Sequence, residues 1–66
     1  MSWSQFEVWS SDEDGIETLV LTTSSKKEAL AAMHDEVNGE FGTASEAWIV
    51  LEDSGDFSEV MRLTRG

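Results

Sequence analysis

Ser25-Lys26-Lys27-Glu28-Ala29-Leu30-Ala31-Ala32-Met33-His34-Asp35-Glu36-Val37-Asn38-Gly39 is the stretch on which the fold turns. It opens as S-x-x-E, the capping box in which the serine hydroxyl takes the glutamate amide and the glutamate reaches back to the serine amide. Leu30, Met33 and Val37 then fall at i, i+3 and i+7 with Ala29 beside them, a single apolar stripe. Asn38-Gly39 stops the pattern, since either residue can adopt the left-handed conformation. The spacing predicts one helix, from about Lys26 to Val37. Lys26 and Lys27 lie at the positive end of its dipole, which costs roughly a few tenths of a kcal/mol.

On the N-terminal side, residues 5–10 alternate: Phe6 and Val8 point one way, and Trp3, Gln5, Glu7 and Trp9 the other, as in a strand. Ser10-Ser11-Asp12-Glu13-Asp14-Gly15 reads as a turn with Gly15 free to take positive φ. Ile16 to Thr23 is β-branched and apolar, the hairpin partner of the first strand. On the C-terminal side, Glu40 to Ser45 reads as a loop with Phe41 folded back as a core plug. Glu46 to Glu52 is a third strand, Asp53-Ser54-Gly55-Asp56 a turn, and Phe57 to Thr64 a fourth strand. The expectation is an α+β fold, a two-layer ββαββ unit with a mostly antiparallel four-stranded sheet and one helix on one face. Its 66 residues are taken as one domain, 1–66, burying about 60% of the unfolded surface.

One helix covers one face of such a sheet, and period two assigns the residues. Phe6, Val8, Ala47, Ile49, Leu51, Met61 and Leu63 are expected beneath the helix. On the second strand, either Leu19 and Leu21 or Ile16, Thr18 and Val20 fit, and the leucines are favoured. The opposite face would then carry Trp3, Trp9, Trp48, Val50, Val60 and, by the same parity, Val20, with Glu7 and Glu52 interrupting it. A large exposed apolar patch marks an interface, and Trp is a favoured anchor. The competing expectation is that strand parity shifts at a bulge, or that loop 40–45 covers the tryptophans.

Fourteen carboxylates stand against four basic side chains, a formal net charge of -10. They cluster as Asp12, Glu13, Asp14 and Glu17 at the first hairpin tip, Asp35, Glu36 and Glu40 at the helix end, and Glu52, Asp53, Asp56 and Glu59 at the second tip. The two tips could share one edge of the molecule or lie on two sides. Such a surface repels nucleic-acid backbones and anionic membranes, so direct binding to either is disfavoured. Self-repulsion of this size calls for a cationic partner, or for a saline solvent. The chain contains no Cys, hence no disulfide or thiolate metal site. The N-terminus has no signal-peptide pattern and the longest apolar run, residues 47–51, cannot span a bilayer. A cytoplasmic location is expected.

Chemistry-bearing motifs are sparse. Asp12-Glu13-Asp14-Gly15 resembles part of a calcium loop, but that pattern would start at Ser10 and place its bidentate glutamate at Leu21, so a hairpin turn is the expected use. His34, the one histidine, reads as a solvated helix residue. No nucleophile elbow surrounds any serine. No catalytic residue, cofactor or metal is expected, and the chain reads as a non-enzyme.

In size, acidity and compact build, the chain resembles the small phage-encoded inhibitors of host nucleic-acid machinery, including anti-CRISPR proteins and inhibitors of host RNA polymerase. The resemblance covers the whole chain in composition and element order, and those families share no diagnostic motif, so no functional residue is carried over. It implies a stoichiometric inhibitor, in the host cytoplasm, binding a basic nucleic-acid-binding protein or complex such as a CRISPR effector through a DNA-mimicking surface. The residues expected to carry it, as phosphate surrogates, are Asp12, Glu13, Asp14, Glu17, Glu52, Asp53, Asp56 and Glu59. Two alternatives stand beside it. One is an interaction module or homodimer docking through Trp3, Trp9 and Trp48. The other is an acidic housekeeping domain of a salt-adapted organism.

Overall fold

The computed structural model describes residues 4–39 and 44–65. Its elements are β1 (Ser4–Ser11), β2 (Glu17–Thr23), α1 (Lys26–Asn38), β3 (Glu46–Asp53) and β4 (Asp56–Thr64). The four strands form one sheet in the order β2-β1-β3-β4. Every neighbouring pair is antiparallel. This is the expected ββαββ, α+β arrangement. Phe41, expected to plug the core, lies outside the described residues.

The start of α1 departs from the expected capping box in one detail. Ser25 has extended backbone and its Oγ accepts from the Glu28 amide. The Glu28 carboxylate does not return to the Ser25 amide. Instead, the Ser25 amide donates to Thr23 Oγ1 at 3.0 Å, and that hydroxyl donates to Glu28 Oε2 at 2.8 Å. The last residue of β2 thus closes the circuit and ties the helix to the strand before it. At the other end, Gly39 is not left-handed: its φ of -69° and ψ of 162° are extended. Glycine is required there because a Cβ would collide with the Asp35 carbonyl oxygen and lie 3.1 Å from the Asp35 carbonyl carbon and Cα.

The core lies between α1 and the middle of the sheet. Val8, Ala29, Met33, Val37, Ala44, Ala47 and Ile49 are buried, with Phe6, Leu21, Leu30 and Leu63 packed around them. The buried helix stripe is Ala29, Met33 and Val37, at i, i+4 and i+8. Leu30, expected in the stripe with Ala29 beside it, instead sits on its flank. Ala29 has no exposure at all, and its small side chain lets the backbone approach the sheet closely.

Two β-bulges correct the expected parity. The turn Ser54-Gly55, with positive φ at both residues, is of the two-residue hairpin kind and sets Asp53 opposite Asp56. Continued without interruption, that register would place Arg62 opposite core residue Ala47 and turn Leu63 to the outer face. One extra residue, Val60, is inserted between the Val50–Glu59 and Ile49–Met61 pairs, so Leu63 faces Ala47 and Arg62 faces Trp48. On the first hairpin, Val20 is inserted between Trp9–Leu19 and Val8–Leu21. Leu21 therefore lies under the helix as expected. Leu19 instead shares the face of Trp9 and is 45% exposed, while Val20 packs against the core. The expectation of Leu19 in the core, and of Val20 and Val60 on the outer face, is thus corrected: a one-residue slip exchanges faces. Both bulges sit on edge strands, where they also hinder pairing with another chain.

Candidate functional site

Three surfaces follow from this frame: two acidic hairpin tips, a tryptophan-bearing outer face, and an apolar groove beside the helix. The tips do not share an edge. Because β1 pairs antiparallel with β3, the β1–β2 tip and the β3–β4 tip fall at opposite ends of the strands. The molecule measures 38 × 21 × 16 Å, and strands of eight or nine residues put its long axis along the strand direction.

At the first tip, Glu13, Asp14 and Glu17 are exposed. Asp12 is engaged in the turn itself. Its Oδ1 accepts from the amides of Asp14 at 2.9 Å and Ile16 at 3.0 Å, and its carbonyl accepts from the Gly15 amide at 3.0 Å. This carboxylate holds the turn together, as Asx motifs do. Its use as a freely presented phosphate surrogate is reduced accordingly. A recess lined by Ser10, Asp12, Thr18 and Glu36 brings the end of α1 to the same pole. The helix's negative dipole end therefore adds to these carboxylates. Arg65 offsets part of this by donating to the Val37 carbonyl at 2.9 Å.

At the second tip, Asp53, Asp56 and Glu59 are exposed and Glu52 is half-buried. The N-terminus of α1, with exposed Lys26 and Lys27, lies toward this end. The four basic residues thus divide between the two ends, Lys26 and Lys27 at the second and Arg62 and Arg65 toward the first. Among the described residues, no group of three or more His, Asp or Glu side chains is placed to hold a metal ion. His34 is exposed on α1. No helix of the described residues is long and apolar enough to cross a membrane.

The outer face is built differently from the expectation. A row runs across the sheet from Leu19 through Trp9 and Trp48 to Arg62. The Arg62 guanidinium stacks on the Trp48 ring, 4.7 Å from its centroid. It is held there by Glu46, with Nη1 to Oε2 at 2.8 Å, and by both carboxylate oxygens of Glu59. The bonds from Arg62 keep the Glu59 carboxyl below its ordinary pKa. Glu59 and then Glu46 raise that of the guanidinium. Trp48 is only 8% exposed. Trp9 is half-buried and its indole N–H donates to Glu7 at 3.1 Å. Trp48 is therefore no bare anchor: the bulge at Val60 places a cation over its face, and a cation with two carboxylates is a polar cover. Trp3, the third expected anchor, lies outside the described residues. Glu59, expected at the acidic tip, serves this cover.

No protein-family model, curated protein or solved structure matches this chain. The functional reading therefore rests on the surfaces themselves.

Sequence reasoning missed the groove. Phe6, Leu30, Leu51, Val60 and Met61, with Lys26 at one end, line an apolar channel of about 230 Å³ on the helix side of the sheet. It exists because α1 packs chiefly over β3, β1 and β2 and least over β4. Val60 is 47% and Met61 40% exposed as a result. A single helix is narrower than four strands, and that mismatch was already a signal.

Proposed function

We propose that this chain is a stoichiometric inhibitor of a basic nucleic-acid-binding protein or complex, acting through its acidic surface as a mimic of a charged duplex. The observation that supports it best is the uncompensated charge. Among the described residues, Glu46 and Glu59 pair with Arg62. Glu13, Asp14, Glu17, Asp53 and Asp56 remain exposed to solvent at the two ends of the sheet. The geometry suits the reading. The 38 Å length is close to one turn of B-DNA, about 34–36 Å, so carboxylates at the two ends can stand in for phosphates one turn apart. The activity proposed is one of binding.

The reading is tested by immobilising the protein, capturing partners from host lysate, and eluting with salt or with competing duplex DNA. A nucleic-acid-binding complex that elutes with salt and is displaced by DNA supports it. Reversal of Glu13, Asp14 and Glu17 to lysine moves the net charge from -10 by six units while sparing the turn-forming Asp12. Reversal of Glu52, Asp53 and Asp56 tests the other pole. Unchanged partner affinity in both variants refutes the proposal.

A further inference from the structure

Asn38-Gly39 ends α1, and the same pair carries a chemistry of its own. Asn38 is the single asparagine of the chain. It is the last residue of α1, and it is exposed. An asparagine side chain is open to attack by the backbone nitrogen of the residue after it, which makes asparagine thermolabile. Glycine in that next position obstructs the attack least, since no Cβ crowds the nitrogen and the backbone turns freely. Here the glycine cannot be exchanged, because a Cβ at residue 39 would collide with the Asp35 carbonyl oxygen. The packing that ends the helix therefore imposes the most reactive neighbour on Asn38. Access is controlled by the helix end. The Gly39 amide, which holds the attacking nitrogen, donates to the Asp35 carbonyl at 3.0 Å. The next two carbonyls are held as well, Glu36 by the Ala44 amide at 3.1 Å and Val37 by Arg65 Nη2 at 2.9 Å. While these bonds stand, the nitrogen is engaged and the helical backbone keeps it out of line with Asn38 Cγ. Helix ends open at far lower free energy than cores, and opening releases it.

We propose that Asn38 is a self-modification site, deamidated by the Gly39 nitrogen when the last turn of α1 opens. The Gly39 N–H gives its proton to hydroxide, and the nitrogen bonds to Asn38 Cγ. The Cγ–Nδ2 bond breaks, and Nδ2 takes a proton from water and leaves as ammonia, closing a cyclic imide. A second water opens the ring. Attack at Cγ gives aspartate, and attack at the backbone carbonyl carbon gives an isoaspartyl link with an extra backbone methylene. Nothing is oxidised or reduced. Either product adds one negative charge to the formal -10. That charge falls at the negative end of the helix dipole, where it is destabilising. It also falls at the end of α1 that shares a recess with Ser10, Asp12 and Thr18. The acidity of this pole thus grows as the molecule ages.

The test incubates the full chain beside an end-capped peptide of residues 36–40, the unprotected reference, over a series of pH values from neutral to mildly alkaline. Mass spectrometry of the digested chain reads replacement of the side-chain amide by an acid at residue 38. Asp14-Gly15 closes the same kind of imide by losing water and regains that water on opening, so its mass is unchanged and the gain reports Asn38. NMR hydrogen exchange of the unaltered chain reads release of the Gly39 amide. Conversion in the folded chain is expected to run roughly tenfold to a hundredfold slower than in the peptide, the protection of a fraying helix end. It should rise in proportion to hydroxide concentration. Hydrogen exchange at Gly39 should be slowed by the same factor, because both reactions need that N–H released. Arg65→Ala, which removes the donor on the Val37 carbonyl, should speed conversion about threefold to tenfold while circular dichroism shows the fold retained. Asn38→Ser should gain no acid at residue 38. An unconverted chain beside a converted peptide overturns the site. Conversion as fast as in the peptide, or out of step with Gly39 exchange, overturns its control by the helix end, as does a rate that a folded Arg65→Ala variant leaves unchanged. The exchange comparison needs no variant, so it decides the matter even if Arg65→Ala fails to fold. None of these readouts involves a partner, so failure here and failure of the mimicry reading are separate results.

Discussion

Met33 and Met61 face the same layer, and the comparison of Met33→Ala with Met61→Ala tests the uneven cover that α1 gives the sheet. Met33 is 1% exposed at the centre of the core, whereas Met61 is 40% exposed at the groove. Truncating a fully buried methionine removes its transfer energy and leaves a cavity, together about 2–5 kcal/mol. At Met61 only part of the side chain leaves water, and the groove is open, so no closed cavity forms. The loss there is about 1 kcal/mol, taking rather more than half of the ~1.5–3 kcal/mol of full burial and allowing for what alanine retains. A domain of this length has a total stability of only about 3–10 kcal/mol. Met61→Ala should therefore lower the thermal midpoint by about 4–8 °C, and Met33→Ala by twice that or more, or abolish the folded state. Urea melts followed by far-UV circular dichroism and by tryptophan fluorescence give the two values. Equal shifts of the urea midpoint would show that α1 covers β4 as fully as β1 and β3, and the packing account would fall.

Three further outcomes follow from particular residues. Gly39→Ala places a methyl against the Asp35 carbonyl and should cost about 1 kcal/mol or more, read as a lower urea midpoint; a neutral result would remove the steric account of this helix end. Glu59 should titrate below its ordinary value in ¹³C-carboxyl NMR, with Arg62→Ala restoring it. A depressed native pKa means that the stabilisation is complete above the ordinary glutamate pKa, about 4.3, and is lost as pH falls through the lower native one. A wild-type midpoint at or above the ordinary value would contradict the Arg62 geometry. Finally, added salt should raise the urea midpoint from low ionic strength by screening the -10 charge, with the fold already present at low salt. A chain unfolded until salt is added would point to the salt-adapted reading instead.

The element order and the helix limits were legible because capping, periodicity and turn residues are local signals. Ser25, Gly15 and the Ser54-Gly55 turn each act where the sequence puts them. What escaped was set by register. Val20 and Val60 look like any strand residue, and neither is a glycine that would announce a bulge. A signal was nevertheless present at the second hairpin. With the two-residue turn fixing Asp53 opposite Asp56, plain alternation would bury Arg62 and expose Leu63, a conflict that one inserted residue resolves. The tryptophan face was misjudged for the same reason, since the pairing of Trp48 with Arg62 exists only after the bulge. At the two acidic tips, the eight proposed carboxylates were equivalent in sequence. Hydrogen bonding separates them, committing Asp12 to its turn and Glu59 to Arg62.

Opposite placement of the two tips constrains what an acidic surface of this kind can do. A short basic patch can engage one tip alone, and the first tip is favoured because the end of α1 reinforces it. To use both, a partner needs a cationic channel about as long as the protein, 38 Å, which is the length of channel that holds a turn of duplex. The two cases separate by salt dependence, since each seated charge pair is screened by salt and steepens the fall of affinity with salt concentration. If both tips are seated, reversing either one lowers the slope and the other keeps the remainder. If only one is seated, reversal at that tip abolishes the dependence and reversal at the other leaves it unchanged. The pattern across the two sets of variants therefore measures the length of the partner's basic groove before that partner has been identified.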